Sequence, residues 1–258
     1  GVLNSYLIEI TADILGYVDA DGTPLLEHIL DAAGQKGTGK WAGVSALEQG
    51  MPLTLITESV YSRCISALKE QRVAASQVLQ GSSKGFSGDG ETLVNELEQA
   101  LYAAKIVSYA QGFMLLQEAS QTNDWDLDYR AIALLWRGGC IIRSVFLQDI
   151  ASAYQGNPSL DNILLDQFFT AAIANAQEAW RNTIVTAVQA GVPVPCLGSG
   201  LAFYDSYRSA RLPANLIQAQ RDYFGAHTYE RTDQPRGKFF HTDWTGRGGD
   251  IASTQYEV

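Results

Sequence analysis

The sequence has little of what marks several large classes of protein. Its three cysteines, Cys64, Cys140 and Cys196, are odd in number, lie far apart and form no C-x-x-C pair. That argues against a disulfide framework or a zinc finger and points to a reducing cytoplasm. The three histidines, His28, His227 and His241, are too scattered for an expected metal site, and no H-E-x-x-H is present. No run of about 18 uninterrupted apolar residues exists, so no membrane-spanning helix is expected. Basic residues number 18 against 28 acidic ones, for a net charge of −10, which disfavours a general binder of nucleic acid or acidic membranes. The start, Gly1-Val2-Leu3-Asn4-Ser5, lacks the basic n-region of a signal peptide, and the missing Met suggests a processed or truncated chain.

What the 258 residues do have is apolar content of 46%, enough to bury one large core or two modest ones and to argue against disorder. Most of it carries a helical period. Over 5–18, Leu7, Ile8, Ile10, Ile14, Leu15 and Val18 keep one face. Thr23 and Pro24 read as cap and first residue of a second helix running to a stop at Gly34. Ser45 and Glu48 have capping-box spacing, and Pro52 opens a helix over 53–71. Four glycines within 81–90 mark an exposed loop.

Long helices are predicted over 91–118, 129–154 and 160–190, with shorter ones near 201–210 and 213–224. In 160–190, Leu164, Phe168, Ala171, Ala172, Ala176, Ala179 and Thr183 form a small-residue stripe that suits an ordinary core or a close helix contact across a dimer. No strand alternation and no βαβ rhythm appears, so the expected class is all-α. From Gly225 the period is lost and charges nearly balance, whereas the body is acidic. This aromatic-bearing tail is too apolar to float free.

Three segments carry chemistry. Gly34-Gln35-Lys36-Gly37-Thr38-Gly39-Lys40-Trp41 combines three glycines, which free backbone N–H groups to face an anion, with two lysines. It is a P-loop lacking its Ser/Thr, because Trp41 stands there; it follows a helix rather than a strand, so nucleotide hydrolysis is excluded. A glycine-rich helix stop with surface lysines is the plainer reading of the same residues. Arg63, in an apolar helix pattern, is either a paired core charge or a ligand clamp. Arg221 and His227, six apart across a helix end, could share one phosphate or carboxylate, or be unrelated surface groups. No G-x-G-x-x-G follows a strand, so no dinucleotide-binding unit is expected in these residues.

Taken together, Ile29 through Trp41, Trp136-Arg137-Gly138-Gly139-Cys140-Ile141-Ile142-Arg143, the 212–231 stretch LPANLIQAQRDYFGAHTYER, and Phe240-His241-Thr242-Asp243-Trp244-Thr245-Gly246 resemble the C-terminal helical domain of the decarboxylating 6-phosphogluconate dehydrogenase family. The resemblance spans almost the whole chain. It implies a multi-helix domain over 1–224 with an irregular tail over 225–258 that reaches a partner subunit of a homodimer. It also implies oxidation of 6-phosphogluconate with NADP, loss of CO2 and release of ribulose 5-phosphate in the pentose phosphate pathway. By the same resemblance Lys36 and Arg63 bind substrate, while Arg221 and His227 of the partner chain hold its phosphate.

The resemblance further places Ser253, Thr254, Gln255 and Tyr256 over the cofactor, although Ala252, Gln255 and Glu257 depart from the family's serine-rich ending. By the resemblance, the family's Rossmann domain and its lysine–glutamate proton-transfer helix are not expected within these 258 residues. The chain alone is therefore expected to be inactive, with no catalytic group and no metal ligand of its own. A non-enzymatic dimerisation or phosphosugar-binding module is the competing expectation.

Overall fold

The structure, a computed structural model, describes residues 1–82 and 84–246. The chain divides into two compact units, Gly1–Tyr204 and Asp205–Val258. The first holds α1 (Tyr6–Gly16), a 3-10 turn (Leu25–His28), α2 (Thr38–Glu48), α3 (Thr54–Ser66), α4 (Lys69–Ser76), α5 (Gly90–Thr122), α6 (Tyr129–Leu135), α7 (Leu147–Gly156), a second 3-10 turn (Ile163–Leu165) and α8 (Gln167–Ala190). Helix α9 (Pro195–Tyr207) runs to the unit boundary, and α10 (Ala214–Gly225) with a minimal hairpin, β1 (Tyr229–Glu230) and β2 (Phe239–Phe240), belongs to the second unit. The all-α expectation holds, and the hairpin is its only departure among the described residues.

The core of the first unit lies between α5 and α8. On α5, Ala100, Ala103, Ile106, Val107, Ala110 and Phe113 recur every three or four residues and are fully buried. Alanine at three of those positions lets the two helix axes approach closely. The facing stripe of α8 is Phe169, Ile173, Ala176, Trp180 and Thr183. It is rotated from the expected small-residue stripe, leaving Phe168 and Ala171 exposed, because this face buries Phe169 and Trp180 and so removes more apolar area from water. Trp180 satisfies its indole by donating from Nε1 to Leu197 O at 3.2 Å. Both long helices start on an aspartate: Asp89 accepts from Thr92 N at 2.7 Å and Asp166 from Phe168 N at 2.9 Å. Helix α8 stops at Gly191, whose φ of 70° is the left-handed cap.

Several expected helices come out differently. The helix expected from Thr23 to Gly34 reduces to Leu25–His28. Asp19 N donates to Thr23 O at 2.8 Å and Leu25 N to Tyr17 O at 3.1 Å, folding 17–25 into a tight turn. The helix expected over 129–154 splits into α6 and α7 around Gly138 and Gly139, the latter at φ 64°. Its middle instead bridges to the N-terminal segment, with Tyr6 N donating to Arg143 O at 3.2 Å and Val145 N to Asn4 O at 3.1 Å. The helix over 53–71 breaks at Ala67 and Leu68 into α3 and α4. Helix α3 is fixed at its start by buried Gln111 of α5, which accepts from Leu55 N at 3.0 Å and donates to Thr54 Oγ1 at 2.8 Å. A buried amide with both ends satisfied locks one helix on another.

Candidate functional site

The first unit builds its site on the loop 31–37. Asp31 is held by Lys69 Nζ at 2.5 Å and by Arg72 Nη1 at 3.0 Å, while Arg72 Nη2 donates to Asp31 O at 2.9 Å and to Ser66 O at 3.0 Å. The hydrogen bond from Lys69, then those from Arg72, pull the Asp31 carboxyl down to a pKa of about 2. Ala33 N donates to Ser66 Oγ at 2.9 Å, and Arg63 Nη2 donates to Gly34 O. Side chains of α3 and α4 therefore hold the loop at Asp31, Ala33 and Gly34. The chain then enters α2 at Thr38, whose preceding Gly37 makes no side-chain cap, so the first N–H groups of the helix end at the loop.

Gly39, which the sequence pattern groups with the glycines that free the loop backbone, lies inside α2 instead. A Cβ there would meet Val60 Cγ2 at 3.0 Å, and one at Gly43 would meet Thr57 Oγ1 at 3.3 Å. One turn apart, these two glycines let α2 cross close to α3. Only Gly34 and Gly37 belong to the loop itself.

Between the loop, α2 and α3 lies an open cavity of about 470 Å³ lined by Gly34, Gln35, Lys36, Thr38, Lys40 and Arg63, among others. Its lining carries three positive side chains and no carboxylate, imidazole or thiol. Such a surface suits binding of an anion through cations and a helix N-terminus. It does not supply a proton-transfer group.

The second unit brings Arg221 and His227 together through Gln218. Arg221 Nη1 donates to Gln218 Oε1 at 3.1 Å, and Gln218 Nε2 donates to His227 O at 3.3 Å and to Thr228 O at 2.5 Å. The chain leaves α10 through Ala226 and Thr228, both at positive φ, 48° and 39°. Gly225 is required by contact: a Cβ there would meet the His227 ring at 2.6 Å. On the next residue of the same helix, fully buried Asp222 accepts from His241 Nδ1 at 2.9 Å, Thr242 N at 3.0 Å and Trp244 Nε1 at 2.8 Å. Burial alone would raise its carboxyl, but the hydrogen bonds from His241, Thr242 and Trp244 outweigh that and hold it below the usual carboxylate range.

Of the expected site residues, Lys36 and Arg63 line one cavity in the first unit, and Arg221 and His227 share a hydrogen-bonding neighbour in the second. Ser253, Thr254, Gln255 and Tyr256, the residues expected at NADP, lie outside the described residues. Sequence reasoning missed Thr38, the Asp31–Lys69–Arg72 fastening, and the pair Gln218 and Asp222. Gln218 and Asp222 are four apart on α10 and flank Arg221, so a polar face on an otherwise apolar helix was the available signal.

It also missed a grouping of Asp19, Asp21 and His28, whose ligand atoms lie within 4.8 Å of one another. All three are exposed, and the turn engages them: Asp19 Oδ1 accepts from Ala20 N, Asp21 Oδ1 from Thr23 N, and His28 Nε2 lies 2.6 Å from Thr23 Oγ1. All three cysteines are free, and no helix among the described residues is long and apolar enough to cross a membrane.

Comparison with known proteins identifies the surroundings of these sites. A family model described as 6-phosphogluconate dehydrogenase, C-terminal domain, matches residues 1–244. Decarboxylating 6-phosphogluconate dehydrogenases are 59% identical over 256 residues in Haemophilus influenzae and 58% over 257 residues in Ovis aries. In both cases the match covers 99% of this chain and 53% of the relative. The chain thus spans about half the length of the curated relatives it matches. The Plasmodium falciparum 6-phosphogluconate dehydrogenase, solved in its apo form, with its cofactor NADP+ and with its substrate 6-phosphogluconate, superposes with a TM-score of 0.89 at 43% identity. That match covers 95% of this chain and 52% of the other. The chain belongs to the 6-phosphogluconate dehydrogenase C-terminal domain family.

Proposed function

We propose that this chain supplies the substrate-holding, C-terminal part of a decarboxylating 6-phosphogluconate dehydrogenase of the pentose phosphate pathway, acting in the cytoplasm as a homodimer. The observation that carries this reading is the cationic cavity at Lys36 and Arg63, in a chain 59% identical to a named decarboxylating enzyme across nearly its whole length.

The substrate, 6-phosphogluconate, has a carboxylate at one end and a phosphate dianion at the other. Lys36 and Arg63, with the N–H end of α2, bind it from the first unit. Thr38 stands at that same helix end and lines the same cavity, which supports a hydroxyl contact to the substrate. Arg221 and His227, contributed by the partner chain, hold the phosphate: a guanidinium meets a phosphate with two parallel hydrogen bonds, and an imidazole adds a third donor. The tail over 225–258 reaches the other subunit, and its Ser253, Thr254, Gln255 and Tyr256 face NADP. When bound, NADP supplies the hydride acceptor. The residues of this chain orient the sugar phosphate and help to exclude water around it.

The reading is tested by following NADPH formation from 6-phosphogluconate and NADP, with intact mass taken on the same sample. The full-length product of the gene should be active, and the 258-residue chain alone should bind the sugar phosphate without turning it over. NADPH formation by the isolated chain at its own mass would refute the division of labour. Failure of both samples to bind 6-phosphogluconate would favour a non-enzymatic helical module instead.

A further inference from the structure

The proposed phosphate clamp depends on two residues that reach it by different routes. Arg221 projects from the last turns of α10, and His227 follows a backbone reversal just beyond the helix. For both to address one phosphate, the helix side chain and the reversed backbone must be held in register. We propose that Gln218 is the positioning residue that does this, a role that rests on the phosphate reading of Arg221 and His227 given above.

Gln218 lies one helical turn before Arg221 and Asp222, on the same face of α10. Its single amide is engaged at both ends. The oxygen accepts from the Arg221 guanidinium at 3.1 Å, and the nitrogen donates to the carbonyls of His227 and Thr228 at 3.3 and 2.5 Å. The partners fix which end is which. Turning the amide over would set its NH2 against a guanidinium N–H and its oxygen against two carbonyls, so only one orientation is attractive.

The held segment is one that would not keep its shape unaided. Ala226 and Thr228 are non-glycine residues in the left-handed region, a conformation that persists only where the surroundings over-determine it. Gly225 closes the other side, since a Cβ there would meet the His227 ring at 2.6 Å. The imidazole is thus confined by Gly225 beneath and by Gln218 along its backbone, while the same amide steers Arg221. Asp222 has a separate task, fastening the returning strand at 241–244 to the helix. Gln218 hydrogen-bonds to both members of the clamp, to the guanidinium of Arg221 and to the backbone carbonyl of His227.

The test measures discrimination between 6-phosphogluconate and gluconate, which lacks the phosphate, as the ratio of their kcat/KM values in the full-length gene product. Gln218→Met keeps the length of the side chain and removes its hydrogen bonds. It should lower the ratio about tenfold through KM for 6-phosphogluconate, with kcat nearly unchanged. Gln218→Glu keeps the acceptor for Arg221 but sets a carboxylate against two carbonyls near an anion site, so its ratio should fall further. It also serves as the second variant should the first fold poorly. In an Arg221→Ala background the Gln218→Met effect should shrink to the part that acts through His227, so the two losses are less than additive.

If Arg221→Ala and His227→Ala lower the ratio while both Gln218 variants leave it unchanged, the positioning role is wrong and the phosphate reading stands. If none of the four changes it, the phosphate reading itself has failed. Equal losses for both substrates, or additive losses with Arg221→Ala, would also overturn the proposal, since a general structural defect produces that pattern.

Discussion

The α5–α8 core and the two site segments are held by different physics. In the core, alanines, Phe113, Phe169 and Trp180 interlock and no charge is needed. Around the sites, in residues 31–37 and 226–244, the backbone is held by named polar side chains: Arg63, Ser66, Lys69 and Arg72 on one segment, Gln218 and Asp222 on the other. Non-directional burial tolerates small shifts, whereas a hydrogen bond sets an atom to within a few tenths of an ångström. A protein that must converge several cations on a small anion has reason to place them on the second kind of scaffold. The core then sets global stability, and the polar fastenings set the geometry of the site.

That contrast can be broken in two ways. The larger effect belongs to the core. Trp180→Ala removes a fully buried indole and its bond to Leu197 O, so unfolding free energy should fall by about 3–5 kcal/mol. Chemical denaturation with a shared slope checks it. A loss below about 1 kcal/mol would mean that the α5–α8 packing is not the main source of stability.

The smaller effect is local and depends on pH. Asp222 has its folded pKa held below the usual value, so its contribution is complete above the unfolded value of about 3.9 and is lost as pH falls through the lower folded value. Hydrogen exchange from pH 6 downward should show residues 229–244 opening at a pH where α5 and α8 remain protected. Asp222→Asn, which takes away the charge, should expose the same residues already at pH 6. Simultaneous opening of core and hairpin in either case would erase the distinction between the two kinds of scaffold.

The same distinction explains what was legible in the sequence. Burial has a period, so the two helices that form the core were legible as helical stretches over 91–118 and 160–190, although α8 begins only at Gln167 and its buried face was set by which rotation covered the largest rings. Polar fastening has no period. Nothing local tells that Arg72 reaches back 41 residues to Asp31, or that Gln111 holds the start of α3 from 56 residues away.

The motifs fared in the same uneven way. Lys36 and Arg63 could be named from the glycine-rich segment and the family resemblance, and they meet in one cavity. Gly39 looked like loop and is helix, because a glycine that lets two helices cross close together has the same letter as one that frees a turn. Gln218 carried no motif at all. Its role emerges only when a reversal of the chain brings the carbonyls of His227 and Thr228 back alongside α10.

The most direct test of the account is a calorimetric titration of 6-phosphogluconate into the full-length gene product and its Arg221→Ala variant. The account predicts that the variant binds more weakly by about 1.5–3 kcal/mol, the usual contribution of a hydrogen bond to a charged group, while its affinity for gluconate is unaltered. An unchanged affinity for 6-phosphogluconate would contradict the claim that α10 and the turn after it hold the phosphate.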